Sequence, residues 1–223
     1  MRDSHPSSFA ASAGAPAVRR PWDARLARRL VTPLKQSWVT PNHLTTVRLA
    51  VGLGAAWAFT YGTYGWSNLA ALLLILSNFL DHTDGELARI SGKSSRIGHL
   101  YDLTSDALVT ILLFSAIGMG VRLGEGAGWR VPPALLGALA GCAIALIFLL
   151  RMRIEDMLGK AGTRQAAIGG FETEDILYLL PLVTLCNGLT RFLVAAAIGA
   201  PLFATWVVFD YFRTSRSSTR PAS

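Results

Sequence analysis

The stretch DHTDGELARISGKSSRIGHLYDLTSD, residues 81 to 106, interrupts a chain that is apolar on both sides. It sets four aspartates, Asp81, Asp84, Asp102 and Asp106, at the seam between two long hydrophobic segments. If both flanks are helical, each residue advances about 100°. Asp81, Asp84, Gly85 and Ala88 then share one face of the first helix, and Gly98, Asp102 and Asp106 share one face of the second. Facing each other across a short turn, the two helices present four carboxylates to one small volume. Unpaired charge at that depth is costly, so the acids are either protonated or compensated by cations. Hard divalent ions with oxygen ligands, Mg²⁺ or Mn²⁺, suit an all-carboxylate set. Two such ions roughly 3.5 to 4 Å apart, bridged by shared aspartates, suit phosphoryl chemistry.

The residues between the acids fit the same use. Gly85 and Ala88 lack bulk beside the carboxylates, so a ligand can approach the helix backbone closely. Arg89 is a planar cation matched to a pair of phosphate oxygens. Singly, small residues serve helix packing and a boundary arginine serves topology; the joint spacing is what carries the functional reading.

Outward from this seam the chain reads as an integral membrane protein. It is 52% hydrophobic and only 16% charged, and its apolar runs are too long for a soluble core of this size. Judged against the roughly 20 apolar residues that a bilayer core requires, six transmembrane helices are expected near 42–63, 67–90, 97–121, 131–151, 174–189 and 192–212. The fifth is short, carries Pro181 and precedes Asn187 and Gly188, so a broken helix or a re-entrant hairpin also fits there. Residues 1–20 form a tail rich in Ser, Ala and Pro, expected to be disordered. Residues 21–40 mix Trp22, Leu26, Leu30, Val31, Leu34 and Trp38 with Arg25, Arg28, Arg29 and Lys35. That is the pattern of an amphipathic helix lying in the headgroup layer, with Pro33 bending or breaking it; a solvated basic linker is the alternative. Residues 41–212 make the membrane domain and 213–223 a C-terminal tail. The expected fold is therefore all-α.

Charge sets the orientation and removes one class of partner. The formal charge is +7, but the basic residues border hydrophobic segments, where topology and anionic lipid explain them and nucleic acid does not. Of the 21 Lys and Arg, only Arg122, Arg130 and Arg191 fall on one side of the expected spans. The remainder put both termini and the aspartate-rich turn in the cytoplasm, in a bacterial inner membrane. Cys142 and Cys186 lie in apolar stretches without CxxC spacing, so they read as packing residues, neither disulfide nor zinc ligand. His43, His82 and His99 fall near the site and read as interfacial residues without a catalytic duty.

The spacing DxxDGxxARx8GxxxDxxxD, met by Asp81, Asp84, Gly85, Ala88, Arg89, Gly98, Asp102 and Asp106, resembles the signature of the CDP-alcohol phosphotransferases. A preceding PNxLTxxR segment, here Pro41, Asn42, Leu44, Thr45 and Arg48, extends the resemblance, which covers roughly residues 20 to 212. It implies six membrane helices, a cytoplasmic site and a homodimer. It further implies displacement of CMP from a CDP-linked alcohol, most simply CDP-diacylglycerol, by the hydroxyl of a polar acceptor alcohol in phospholipid synthesis. Carried over by position, Asp81, Asp84, Asp102 and Asp106 would hold Mg²⁺ or Mn²⁺, Asp106 acting as base, ligand or both. Gly85, Ala88 and Arg89 would hold the cytidine nucleotide. Arg151, Arg153, Lys160 and Arg164 are candidates for an acceptor phosphate, or equally a positive-inside loop interleaved with Glu155 and Asp156. Serine, a sugar alcohol, an amino alcohol or a lipid all stay open as acceptors. Two other classes compete: an intramembrane prenyltransferase, expected to carry two acidic clusters on distant helices, and a cation transporter, which leaves Gly85, Ala88 and Arg89 unexplained.

Overall fold

The computed structural model describes residues 22–93, 95–125, 130–158 and 178–218, and every regular element among them is helical. These are α1 (Trp22–Val31), α2 (Pro41–Phe59), α3 (Tyr64–Ser91), α4 (Arg96–Glu125), α5 (Pro133–Leu158), α6 (Leu180–Leu185) and α7 (Leu189–Ser218). The expected tail 1–20, the segment holding Lys160 and Arg164, and the last residues of the expected C-terminal tail lie outside the described residues.

Local chemistry explains where these helices begin and end. α1 stops at Val31 and passes into a 3₁₀ turn, Thr32–Gln36, as expected because Pro33 lacks an amide donor and clashes with the turn before it. Ala27 and Val31 are buried while Leu26 and Leu30 are exposed, so this segment packs on α3 and still shows leucines outward. α2 starts with Pro at its first position, where a missing N–H costs nothing, and the Thr40 amide donates to Nδ1 of His43 at 3.2 Å. That gives His43 a capping duty at the helix entrance. α3 ends at Gly92, whose φ of 67° is left-handed and whose N–H bonds the Ala88 carbonyl, a C-terminal stop that glycine adopts without strain.

Packing departs from the picture of two helices facing each other. α3 and α4 are joined by a short turn, yet among the described residues no Cα of one lies within 8 Å of the other. Instead α2 packs against both of them, α4 against α5, and α5 against α7. The hairpin is therefore splayed and α2 lies in its cleft. Glycine permits the tightest approaches: a Cβ on Gly137 would sit 2.0 Å from the Phe114 carbonyl oxygen, and one on Gly118 would sit 2.1 Å from that of Pro133. Small residues at a helix seam let backbones meet and replace the hydrophobic drive that lipid removes. One buried cluster, including Phe59, Leu74, Leu113, Ile117, Leu180 and Leu193, joins α2, α3, α4, α6 and α7. A second, including Ile147, Ile154 and Val207, joins α5 to α7.

Among the described residues, three helices are long and apolar enough to cross a membrane, over Arg96–Arg122, Pro133–Ile154 and Leu189–Arg216. α2 is diluted by Asn42, His43, Thr45, Thr46 and Arg48 in its first two turns, and α3 by the acids of its last third. The expected fifth span, 174–189, falls partly outside the described residues. Within them it is the six-residue α6 followed by a turn at Asn187, whose φ is 51°, so a continuous spanning helix is absent from the described part. Cys142 and Cys186 are exposed and do not pack inside; in a chain with an apolar exterior an apolar context does not imply burial.

Candidate active site

Position 48 of α2 decides the geometry. Gly52, one turn further on, has Val109 of α4 and Ser77 of α3 so close that a Cβ would lie 2.8 Å from the valine and 3.1 Å from the serine oxygen. The Ser77 hydroxyl also donates to the Arg48 carbonyl at 3.1 Å. Held this near both neighbours, the Arg48 side chain, only 5% exposed, forks between them. Nη1 donates to Asp81 of α3 and to Asp106 of α4 at 2.5 Å, and Nη2 donates to Asp102 of α4 at 2.9 Å. Two further ties, Thr46 Oγ1 with Tyr101 Oη at 3.0 Å and the close approach of Gly98 to Asn42, lock the start of α2 to the start of α4.

Three of the four expected carboxylates therefore converge, and one does not. Asp81, Asp102 and Asp106 each offer an oxygen within 4.8 Å of the others. All three side chains are partly open, at 41%, 35% and 48% exposure, above the buried arginine. Asp84 is turned away into the α2–α3 contact, where it accepts the Thr45 hydroxyl at 2.8 Å and is 5% exposed. Three acids against one guanidinium leave the cluster short of positive charge, and an all-oxygen donor set of this size fits a hard divalent cation.

The residues expected to hold a nucleotide lie beside this cluster. Gly85 has nothing nearer its missing Cβ than Arg89 Nη2 at 3.9 Å, so the helix surface there is open. Arg89 is 72% exposed and is steadied from within its own helix by Glu86 Oε1 at 2.5 Å. Glu86 is 2% exposed and its second oxygen is unpartnered. Sequence reasoning missed Glu86, although its place three residues before Arg89 is the spacing at which helical side chains meet. Thr45 and Arg48, part of the PNxLTxxR segment, have no role in the acidic motif itself. The available signal was their one-turn spacing, which sets both on the same stripe of α2.

The basic acceptor candidates do not gather at one point among the described residues. Arg151 lies across the rings of Phe203 and Trp206 in α7, 5.6 and 5.5 Å from their centroids, with Nε buried and unpartnered. Arg153, two residues on and so about 200° around the helix, is exposed. Lys160 and Arg164 lie outside the described residues. His82 hydrogen-bonds the Asn78 carbonyl through Nδ1 at 2.9 Å, which gives it a place within its own helix.

Comparison with known proteins bears on the same segment. The family model for CDP-alcohol phosphatidyltransferases matches residues 38–209. An archaetidylinositol phosphate synthase of Pyrococcus horikoshii is 29% identical over 197 residues, 87% of this chain and 89% of that protein. A bifunctional IPC transferase and DIPP synthase of Rubrobacter xylanophilus is 35% identical over 149 residues, 66% of this chain and 30% of that protein, so the chain spans under a third of its length. A CDP-diacylglycerol–glycerol-3-phosphate 3-phosphatidyltransferase of Cereibacter sphaeroides is 38% identical over 84 residues, 37% of this chain and 38% of that protein.

Proposed function

Because the chain belongs to the CDP-alcohol phosphatidyltransferase family, we propose that it transfers a phosphoalcohol from a CDP-linked donor, CDP-diacylglycerol, to the hydroxyl of a polar acceptor, releasing CMP. The observation that carries this reading is the meeting of Asp81, Asp102 and Asp106, with oxygens within 4.8 Å of one another, where α2, α3 and α4 come together. These acids, with Asp84 at the rear, would hold two Mg²⁺ or Mn²⁺ ions, which supply charge neutralisation for the diphosphate and the departing CMP. Gly85 and Ala88 give the nucleotide an unobstructed helix surface, and Arg89, braced by Glu86, pairs with its phosphate oxygens. Asp106 removes the proton of the acceptor hydroxyl. The acceptor oxygen then forms a bond to the phosphorus bearing the alcohol as the bond from that phosphorus to CMP breaks. Arg151, together with Arg153, Lys160 and Arg164, is the candidate for drawing in a phosphorylated acceptor such as an inositol or glycerol phosphate.

The setting we propose is a six-span membrane domain with α1 in the interface, the active site cytoplasmic and the protein a homodimer. Its support is the outward apolar surface, with Leu72, Leu135, Ile198, Leu202 and Phe209 all at least 60% exposed, a load no soluble surface carries comfortably. At the end of α2 and α3 opposite the acids, Trp57, Tyr61 and Trp66 stack and abut with centroids 4.7 to 5.7 Å apart, the kind of aromatic group that marks a membrane boundary. The homodimer rests on the family resemblance alone.

The test is CMP release by purified protein, with CDP-linked donors set against candidate acceptors and the lipid products identified by mass. Release should require Mn²⁺ or Mg²⁺, vanish with a chelator and return when metal is restored. No release with any donor, alongside cation uptake into liposomes, would favour the transporter reading.

A further inference from the structure

We propose that Arg48 is the built-in counter-cation of the carboxylate cluster: its guanidinium, which donates to Asp81, Asp102 and Asp106, competes with divalent ions for their oxygens. The inference rests on the metal site proposed above but assigns a duty to a side chain that the metal chemistry itself leaves idle. Its basis is the contact set. One guanidinium donates to all three candidate ligands, so the oxygens a metal would need are the oxygens the arginine uses.

Arg48 is fixed from behind, 5% exposed and tied through its own carbonyl to Ser77, whereas the three acids are partly exposed. Three like charges brought this close repel one another, and the guanidinium offsets that repulsion. The same cation penalises a metal that arrives alone, since it must either leave its partners or stay beside a second positive charge. A donor diphosphate brings negative charge that offsets this penalty. Metal and CDP-linked donor are therefore expected to strengthen each other's binding, as linkage requires.

The experiment is Mn²⁺ binding to full-length protein in lipid nanodiscs, read from the electron paramagnetic resonance signal of free Mn²⁺, for wild type, Arg48→Lys and Arg48→Gln. Arg48→Gln removes the competing charge and is expected to bind Mn²⁺ about tenfold more tightly without donor. Arg48→Lys keeps a charge but reaches fewer carboxylates, and about threefold tightening is expected on the same scale. Adding a CDP-linked donor should tighten Mn²⁺ binding in wild type and do so much less in Arg48→Gln. Equal or weaker Mn²⁺ binding by Arg48→Gln overturns the inference; should that variant not fold, equal or weaker binding by Arg48→Lys does so. Asp102→Ala serves as the site control. Mn²⁺ binding that is lost in Asp102→Ala but indifferent to Arg48 sinks this inference alone, while no Asp102-dependent binding in any protein sinks the metal site as well.

Discussion

Thr45→Val is the most informative single substitution in the site. It keeps the shape of the side chain and removes one hydroxyl, the donor that meets Asp84 at 2.8 Å with Thr45 at 2% and Asp84 at 5% exposure. A hydrogen bond to a charged partner contributes about 1.5–3 kcal/mol, and a buried acceptor left without its donor cannot recover this from water. The Asp84 oxygen is too deep to be rehydrated, so the upper half of that range, about 2–3 kcal/mol, is expected as lost stability. The assay is reversible unfolding in mixed detergent micelles, with Thr45→Val, Asp84→Ala and the double variant forming a cycle. In the Asp84→Ala background Thr45→Val should cost much less, since only the longer bond to the Pro41 carbonyl at 3.2 Å is then lost, giving a coupling of roughly 1.5 kcal/mol or more. Costs that add to within about 0.5 kcal/mol would show that the hydroxyl and the carboxylate do not depend on each other, and the account of why Asp84 stands apart from the other acids would fall.

Other substitutions probe the remaining parts. Asp106→Asn keeps a neutral oxygen for the metal, so Mn²⁺ and donor binding should weaken only in part, while turnover at saturating metal falls by about 10² or more, the usual worth of a positioned base; full turnover would remove Asp106 from proton transfer. Arg89→Gln should raise the donor KM roughly tenfold with a smaller change in kcat, as loss of a ground-state phosphate contact requires, and steady-state kinetics with a fixed acceptor would detect it. Gly137→Ala places a Cβ 2.0 Å from the Phe114 carbonyl oxygen. Since backbone cannot yield as a side-chain tip can, a loss of about 1–3 kcal/mol is expected in the same unfolding assay, and unchanged stability would refute the tight α4–α5 seam.

Much of the helical course was legible in one dimension. The starts of α2 through α5 and the break at Pro33 followed from apolar run length and proline chemistry, which act over a few residues and leave direct marks. The acidic motif was legible for a related reason: spacings of three and four residues place side chains on one helical face whatever surrounds the helix. The turn at Asn187 and the shortness of the fifth span were both legible, because Pro181, Asn187 and Gly188 crowd that segment with residues that interrupt a helix.

The sequence alone determined which acids share a helical face, since that follows from helical periodicity and survives any packing. Only the tertiary structure decided how they are used: α2 enters the splayed α3–α4 hairpin, draws Asp84 aside through Thr45 and puts the Arg48 guanidinium among Asp81, Asp102 and Asp106. The reason is that a charge's partner is chosen by which backbones approach closely. Here that approach depends on Gly52, where α3 and α4 both pass, and on Gly98, which admits Asn42 of α2, and a residue with no side chain leaves no trace in the sequence of what it makes room for.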